Sequence, residues 1–129
     1  MLLLGSILAG LAALVHVFIF VLESVRWTAP ATRKVFGVAS EQDALVMRQL
    51  AFNQGFYNLF LAVMAAVGIV LAAVGIVGAG VTLMLAGTGT MLAAALVLVL
   101  ADGSKLRAAA MQGTFPLLAV GVLVLHLLS

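Results

Sequence analysis

The chain has 129 residues, of which 66% are hydrophobic and only 8% are charged, and it contains no cysteine. A soluble domain carries about 25% charged residues, so this chain cannot cover itself with polar surface, and we expect lipid to be its main solvent. The lack of cysteine excludes disulfides, thiolate catalysis and cysteine-ligated metals. The net charge of +2 is too small to indicate nucleic-acid binding, which needs basic residues clustered on one exposed face.

Four apolar stretches are long enough to cross a membrane, since a spanning helix needs about 20 mostly apolar residues. The first has no basic flank and no clear cleavage site after it, so we interpret it as a retained helix rather than a signal peptide. Residues 1–129 are therefore predicted to form a single all-α domain, a polytopic bundle of four transmembrane helices. The predicted spans cover residues 2–25, 52–74, 79–101 and 112–128.

The loop between the first two spans is the only long one. Pro30 blocks simple continuation of the first helix, and Gly37 can end a short turn. Ser40 and Asp43 match a variant of the capping box, which predicts a helix over residues 41–74. Such a helix would be about 51 Å long at 1.5 Å per residue. Because the hydrocarbon core measures about 30 Å, its first turns should project beyond the lipid.

Every basic residue lies in the first or the third loop, and the second loop and both termini hold none. By the positive-inside rule these two loops face the cytoplasm. We therefore predict a multi-pass protein of the plasma (cytoplasmic) membrane, the inner membrane of the cell, with both termini outside. Trp27, at the start of the first loop, is predicted to anchor the helix end at the interface between lipid and water.

Polar side chains within a span are expensive in lipid, normally face the bundle interior and indicate a functional site. His16 and Glu23 lie seven residues apart in the first span, on nearly the same helix face and about 10 Å apart along the axis. Four polar residues of the second span fall within an arc of about 140°, level with Glu23 and with the start of the fourth span. The candidates for ligand binding or proton exchange in one inner cavity are His16, Glu23, Asn53, Gln54, Tyr57, Asn58 and Gln112.

These positions also have structural interpretations. The amides of the second span can serve as hydrogen-bonding groups between helices, and Glu23 can form an interfacial ion pair with Arg26 or Arg48. His126, near the outer end, is interpreted as an interfacial residue. We expect no metal site, because His16 and Glu23 lack the i, i+4 spacing of helical ligand pairs, and no motif indicates a cofactor.

Four stretches of the sequence resemble a family of small bacterial four-helix membrane proteins, known as domain of unknown function 1304. They are HVFIFVLESVRW (16–27), RKVFG (33–37), NQGFYNLFLA (53–62) and QGTFP (112–116). The resemblance implies a four-helix membrane fold, and it supplies no reaction, substrate or cofactor. The residues that match the family's pattern include all seven candidates: His16, Glu23, Trp27, Asn53, Gln54, Gly55, Tyr57, Asn58, Gln112, Gly113 and Pro116.

Three functions fit this pattern. The one we favour is a small integral membrane protein that binds or transports a small polar or amphipathic molecule through a cytoplasm-facing cavity. The second is an accessory or scaffold subunit, which would dock into a larger membrane complex or a homo-oligomer through its basic loop and small-residue faces. The third is an intramembrane enzyme that uses Glu23 and His16 as acid and base on a lipid-like substrate. We rank it last, because the two groups are predicted to lie too far apart to share one proton.

Overall fold

The computed structural model describes all 129 residues, and every regular element is helical, with no β-strand. Four of the helices are long and apolar enough to cross a membrane, so the chain has the all-helical, membrane-protein character that its composition predicts. The elements are α1 (Leu2–Phe20), a π-helical turn that continues it (Val21–Val25), α2 (Pro30–Phe36), α3 (Glu41–Ala73), α4 (Val77–Ala101), a 3-10 turn (Gly103–Lys105) and α5 (Leu106–Leu128).

The start of α3 carries the cap that the sequence predicts. Ser40 has an extended backbone, and its hydroxyl oxygen accepts a hydrogen bond from the Asp43 backbone N–H at 3.0 Å. The same hydroxyl donates to the Asp43 carboxylate at 2.7 Å. A helix leaves its first N–H groups without partners, and this pair satisfies one of them. The predicted cap at Ser40 is confirmed.

The first loop contains a helix where the sequence suggested only a short turn. Pro30 occupies the first position of α2, where its missing N–H would have had no partner in any case. Gly37 ends the helix in the left-handed conformation, with φ of 70°. The residue that was expected to end a turn therefore ends a helix of seven residues.

The connection between α4 and α5 is shorter than the hydropathy pattern suggests. Asp102 Oδ1 accepts hydrogen bonds from the Ser104 backbone N–H at 2.9 Å and from the Ser104 hydroxyl at 2.6 Å. Such a local bond stabilises a tight turn, and α5 then begins at Leu106. The helix thus starts ahead of the apolar stretch that begins at residue 112, and its first turn carries Arg107.

Small residues bring the long helices into close contact. Helix α3 packs between α1 and α4, and α5 packs between α4 and α1. A Cβ on Gly68 would lie 2.7 Å from the Gly80 carbonyl oxygen, and one on Gly80 would lie 2.6 Å from the Ala72 nitrogen. A Cβ on Gly113 would lie 2.9 Å from Ala95 Cβ. Because lipid is as apolar as these side chains, close van der Waals contact is what holds such helices together.

Both charged loops lie at the same end of the helix assembly. Lys105, between α4 and α5, reaches the first loop, where its Nζ lies 3.4 Å from the position of a Cβ on Gly37. At the opposite end, Gly5 of α1 is in contact with Leu123 of α5. All charged residues of the chain fall within 23–48 and 102–107, so one end carries all the charge. The side of the membrane that this end faces stays a prediction.

Candidate functional site

Glu23 lies in the π-helical turn that ends the first long helix. In this turn the Arg26 backbone N–H bonds to the Val21 carbonyl five residues earlier, at 2.9 Å. The Glu23 side chain is 8% exposed, and its Oε2 accepts a hydrogen bond from Asn58 Nδ2 at 2.9 Å. Single π-helical turns within helices are rare and are often found at functional sites. The π-helical turn thus carries a buried carboxylate that bonds to α3.

No basic side chain pairs with the Glu23 carboxylate. Arg26 and Arg48, its two candidate partners, are both exposed, and no lysine or arginine nitrogen lies within 4.0 Å of the carboxylate. A carboxylate offers about four positions to hydrogen-bond donors, and Asn58 fills one of them. The structure thus lacks the ion pair and leaves the carboxylate with free acceptor capacity.

Gly55 allows the π-helical turn to approach α3 closely. A Cβ at this position would collide with Ser24 Oγ and would lie 3.0 Å from the Ser24 backbone nitrogen. The Ser24 hydroxyl donates a hydrogen bond to the Phe52 carbonyl at 2.8 Å. Sequence reasoning did not single out Ser24, because neither a π-helical turn nor this contact has a local sequence signal. Ser24 and Gly55 together position Glu23 opposite Asn58.

A pocket of about 460 Å³ opens beside Glu23. It is formed by the end of α1, the start of the first loop and the first half of α3. The side chains of Asn53, Gln54 and Tyr57 are exposed, so they form its rim. The lining residues are Glu23, Trp27, Met47, Leu50, Ala51, Asn53, Gln54 and Tyr57.

Trp27 forms a buried wall of this pocket. Its side chain is 7% exposed and packs with Ala44 and Ala51 of α3. The indole N–H donates a hydrogen bond to the Ala44 carbonyl at 2.8 Å, and the ring lies 5.2 Å from that of Phe36 in α2. Trp27 therefore ties the first loop to α3, and its role as an interfacial anchor stays a prediction.

His16 and Gln112 do not line the pocket. His16 is 1% exposed, and its Nδ1 bonds to the Ala12 carbonyl of its own helix at 2.9 Å. Gln112 lies on α5, which packs against α1 and α4 rather than against α3. The expectation that all seven candidates share one cavity is wrong for these two. The other five are together, because four line the pocket and Asn58 bonds to Glu23.

A second cavity, of about 510 Å³, lies between α1 and α3. Its lining contains only hydrophobic side chains and Gly10. It offers no side-chain donor or acceptor that could orient a polar ligand. Of these two cavities, the pocket at Glu23 is the one with polar side chains that could orient a ligand.

The helices and the pocket define an all-helical protein of the membrane-spanning type with a buried carboxylate at its charged end. Residues 10–124 match the family model described as "Protein of unknown function (DUF1304)". The match covers most of the chain, which therefore belongs to this family, and the resemblance seen in the sequence is confirmed. No curated protein and no solved structure matches the chain.

Proposed function

We propose that this protein binds a small polar or amphipathic molecule in the pocket beside Glu23, at the cytoplasmic end of a multi-pass protein of the plasma membrane. The observation that carries the proposal is the buried carboxylate, which has no basic partner and lines an open pocket. Burial of a carboxylate is costly unless charges or hydrogen bonds compensate for lost water. Asn58 supplies one such bond, and a bound ligand would supply others.

The composition of the pocket supports this role. Ligand sites are concave, have volumes of about 300–1,000 Å³ and combine apolar walls with a few polar groups. Here Trp27, Met47 and Leu50 supply apolar surface, and Glu23 and the amides at the rim supply the polar groups. A molecule with both a polar and an apolar part fits such a lining best.

Transport is the extension of binding that we favour. The only ionisable side chain buried between the two ends of the helix assembly is that of His16. It lies about 10 Å from Glu23 along α1 at 1.5 Å per residue. A histidine ring can take up and release a proton, so His16 is the group through which a proton could pass beyond Glu23.

A ligand screen with two matched variants tests the binding site. We would follow the thermal unfolding of the purified protein by circular dichroism, in the presence of amines, sugars, alcohols and carboxylates. A ligand at 100 times its Kd stabilises the folded state by about 2.7 kcal/mol. Gln54→Phe should abolish the shift because it fills the pocket. Gln49→Phe should preserve it, because Gln49 is also exposed on α3 but does not line the pocket. Equal responses of the two variants would show that the ligand binds elsewhere.

Uptake into proteoliposomes tests transport separately. A ligand from the screen should accumulate inside vesicles that contain the protein, and Glu23→Gln should abolish that uptake. Binding without uptake would leave the pocket as a receptor or sensor site and would overturn the transport extension.

The proposed orientation can be measured with single cysteines, because the chain has none of its own. Ala39→Cys, in the first loop, should react with a membrane-impermeant maleimide only from the cytoplasmic side. Ser129→Cys, at the C-terminus, should react only from outside. The reverse pattern would place the pocket on the outer face.

A further inference from the structure

We infer that the ligand of this pocket is an organic ammonium ion, for which Glu23 is the counter-ion. The inference rests on the proposed function, since it names the chemical class of molecule that the same pocket takes. It follows from the hydrogen-bonding groups, charges and aromatic rings around Glu23.

Beside the Glu23 carboxylate the free hydrogen-bonding atoms are acceptors, whereas the donors of Asn53, Gln54 and Tyr57 belong to the exposed rim of the pocket. Asn58 Nδ2 donates both to Glu23 Oε2 at 2.9 Å and to the Gln54 carbonyl at 3.1 Å, so both of its N–H groups are used. Glu23 Oε1 and Asn58 Oδ1 remain, and neither has a hydrogen-bond partner within the chain. An anion bound beside Glu23 would meet a like charge and would find no free donor on Asn58. A cation would meet complementary groups.

No positive charge from the chain competes for this position. Arg26 and Arg48 are exposed and do not pair with Glu23. A buried charge without a partner of opposite charge is strongly unfavourable. A bound cation would therefore provide the partner that the fold does not provide.

The aromatic walls favour an organic cation over a metal ion. The indole N–H of Trp27 is already bonded to the Ala44 carbonyl, so the ring has no donor left for a ligand and offers only its apolar surface. Tyr57 lines the same pocket. The faces of such rings attract ammonium groups, and tryptophan does so best. Calcium, in contrast, takes 6–8 oxygen ligands and is usually held by several carboxylates, whereas Glu23 is the only carboxylate that lines this pocket.

Three probes of one shape and different charge test the inference. They are choline, its neutral carbon isostere dimethylbutanol, and the matching anion dimethylbutanoate. Trp27 is the only tryptophan of the chain and lines the pocket, so its fluorescence reports occupancy directly. In an uncharged maltoside detergent, choline should bind about 10- to 100-fold more tightly than dimethylbutanol, because its positive charge is attracted to the Glu23 carboxylate and to the faces of the aromatic rings. Dimethylbutanoate should not bind.

Two charge-removing variants assign the effect to Glu23. Glu23→Gln keeps the shape of the side chain and an acceptor for Asn58, so choline should bind this variant no more tightly than dimethylbutanol does. Asp102→Asn removes a fully exposed carboxylate at the same end of the protein and should keep the preference for choline over dimethylbutanol. If choline binding survives Glu23→Gln, Glu23 is not the counter-ion.

The outcomes separate this inference from the proposed function. Equal binding of choline and dimethylbutanol, or tighter binding of the anion, overturns the cation inference and leaves the pocket as a ligand site. If no probe alters Trp27 emission and the broader ligand screen is also negative, both are overturned. The comparison of the three probes uses the unmodified protein, so it is decisive even if Glu23→Gln does not fold.

Discussion

Gly55→Ala is the most direct test of how the end of α1 is held against α3. The new Cβ would collide with Ser24 Oγ, and it would lie 3.0 Å from the Ser24 nitrogen and 3.1 Å from Glu23 Cβ. The hydroxyl can rotate away, but it then loses its bond to the Phe52 carbonyl. The backbone nitrogen cannot rotate, so the π-helical turn must move away from α3. The Glu23–Asn58 hydrogen bond would lengthen with that movement.

Three contributions determine how much Gly55→Ala changes the free energy of unfolding. Overpacking of a close contact costs about 1–3 kcal/mol, and loss of the Ser24 hydrogen bond costs about 0.5–1.5 kcal/mol. In the opposite direction, alanine stabilises the helix by about 0.5–1 kcal/mol relative to glycine. We therefore expect Gly55→Ala to lower the free energy of unfolding by roughly 1–3 kcal/mol. Gly89→Ala in α4 should be neutral or stabilising, because a Cβ at Gly89 meets no atom within 4 Å.

Reversible unfolding in mixed detergent micelles, followed by Trp27 fluorescence, measures both variants. A double-mutant cycle with Ser24→Ala sharpens the result, because neighbouring residues show non-additive effects. Removal of the Ser24 hydroxyl removes the closest atom, so Gly55→Ala should cost less in that background. Equal stabilities of the Gly55→Ala and Gly89→Ala variants would refute the close contact between the π-helical turn and α3.

Three further predictions concern contacts around the pocket and at the charged end. Asn58→Leu removes the donor to Glu23, so it should lower the free energy of unfolding in denaturation experiments by about 1–3 kcal/mol, the cost of an unsatisfied buried group. This loss should be smaller in a protein that already carries Glu23→Leu. Strictly additive losses would contradict the pairing of Asn58 with Glu23. Trp27→Phe removes the indole donor to α3, so trypsin should cleave the first loop faster, and an unchanged cleavage rate would argue against this tie. The side-chain and backbone bonds from Ser104 hold the pKa of Asp102 below its ordinary value of 3.8, so their stabilisation is present above pH 3.8 and is lost as the pH falls through the lowered pKa. Ser104→Ala should raise the pKa of Asp102 in a carbon NMR titration, and no change would exclude the hydroxyl as the main cause.

Features with a local cause could be predicted from the sequence. Hydropathy depends on composition along the chain, so the four long apolar helices were expected. The cap at Ser40 depends only on residues within one turn, and it is present as predicted. The common depth of Glu23 and the polar residues of the second span also follows from the order of the spans, because the end of one helix must lie level with the start of the next. The charge pattern of the loops supports the same arrangement.

Features that depend on neighbouring helices could not be predicted in this way. A helical wheel assumes 3.6 residues per turn, and the π-helical turn at Val21–Val25 breaks that period where Glu23 lies. The wheel also cannot tell which helices are neighbours. Gln112 was expected in the pocket from its depth alone, but α5 lies against α1 and α4. Nothing in the sequence around Trp27 indicates that its indole is buried against α3.

The amino-acid sequence by itself determined the class of this protein, the number of its long helices, the end at which its charge lies and the family to which it belongs. These properties follow from composition, local periodicity and motif order, which need no knowledge of distant contacts. Only the tertiary structure decided that Glu23 is buried, bonded to Asn58 and free of a basic partner. That outcome depends on the close approach of two helices at Gly55, and such an approach is a property of their packing.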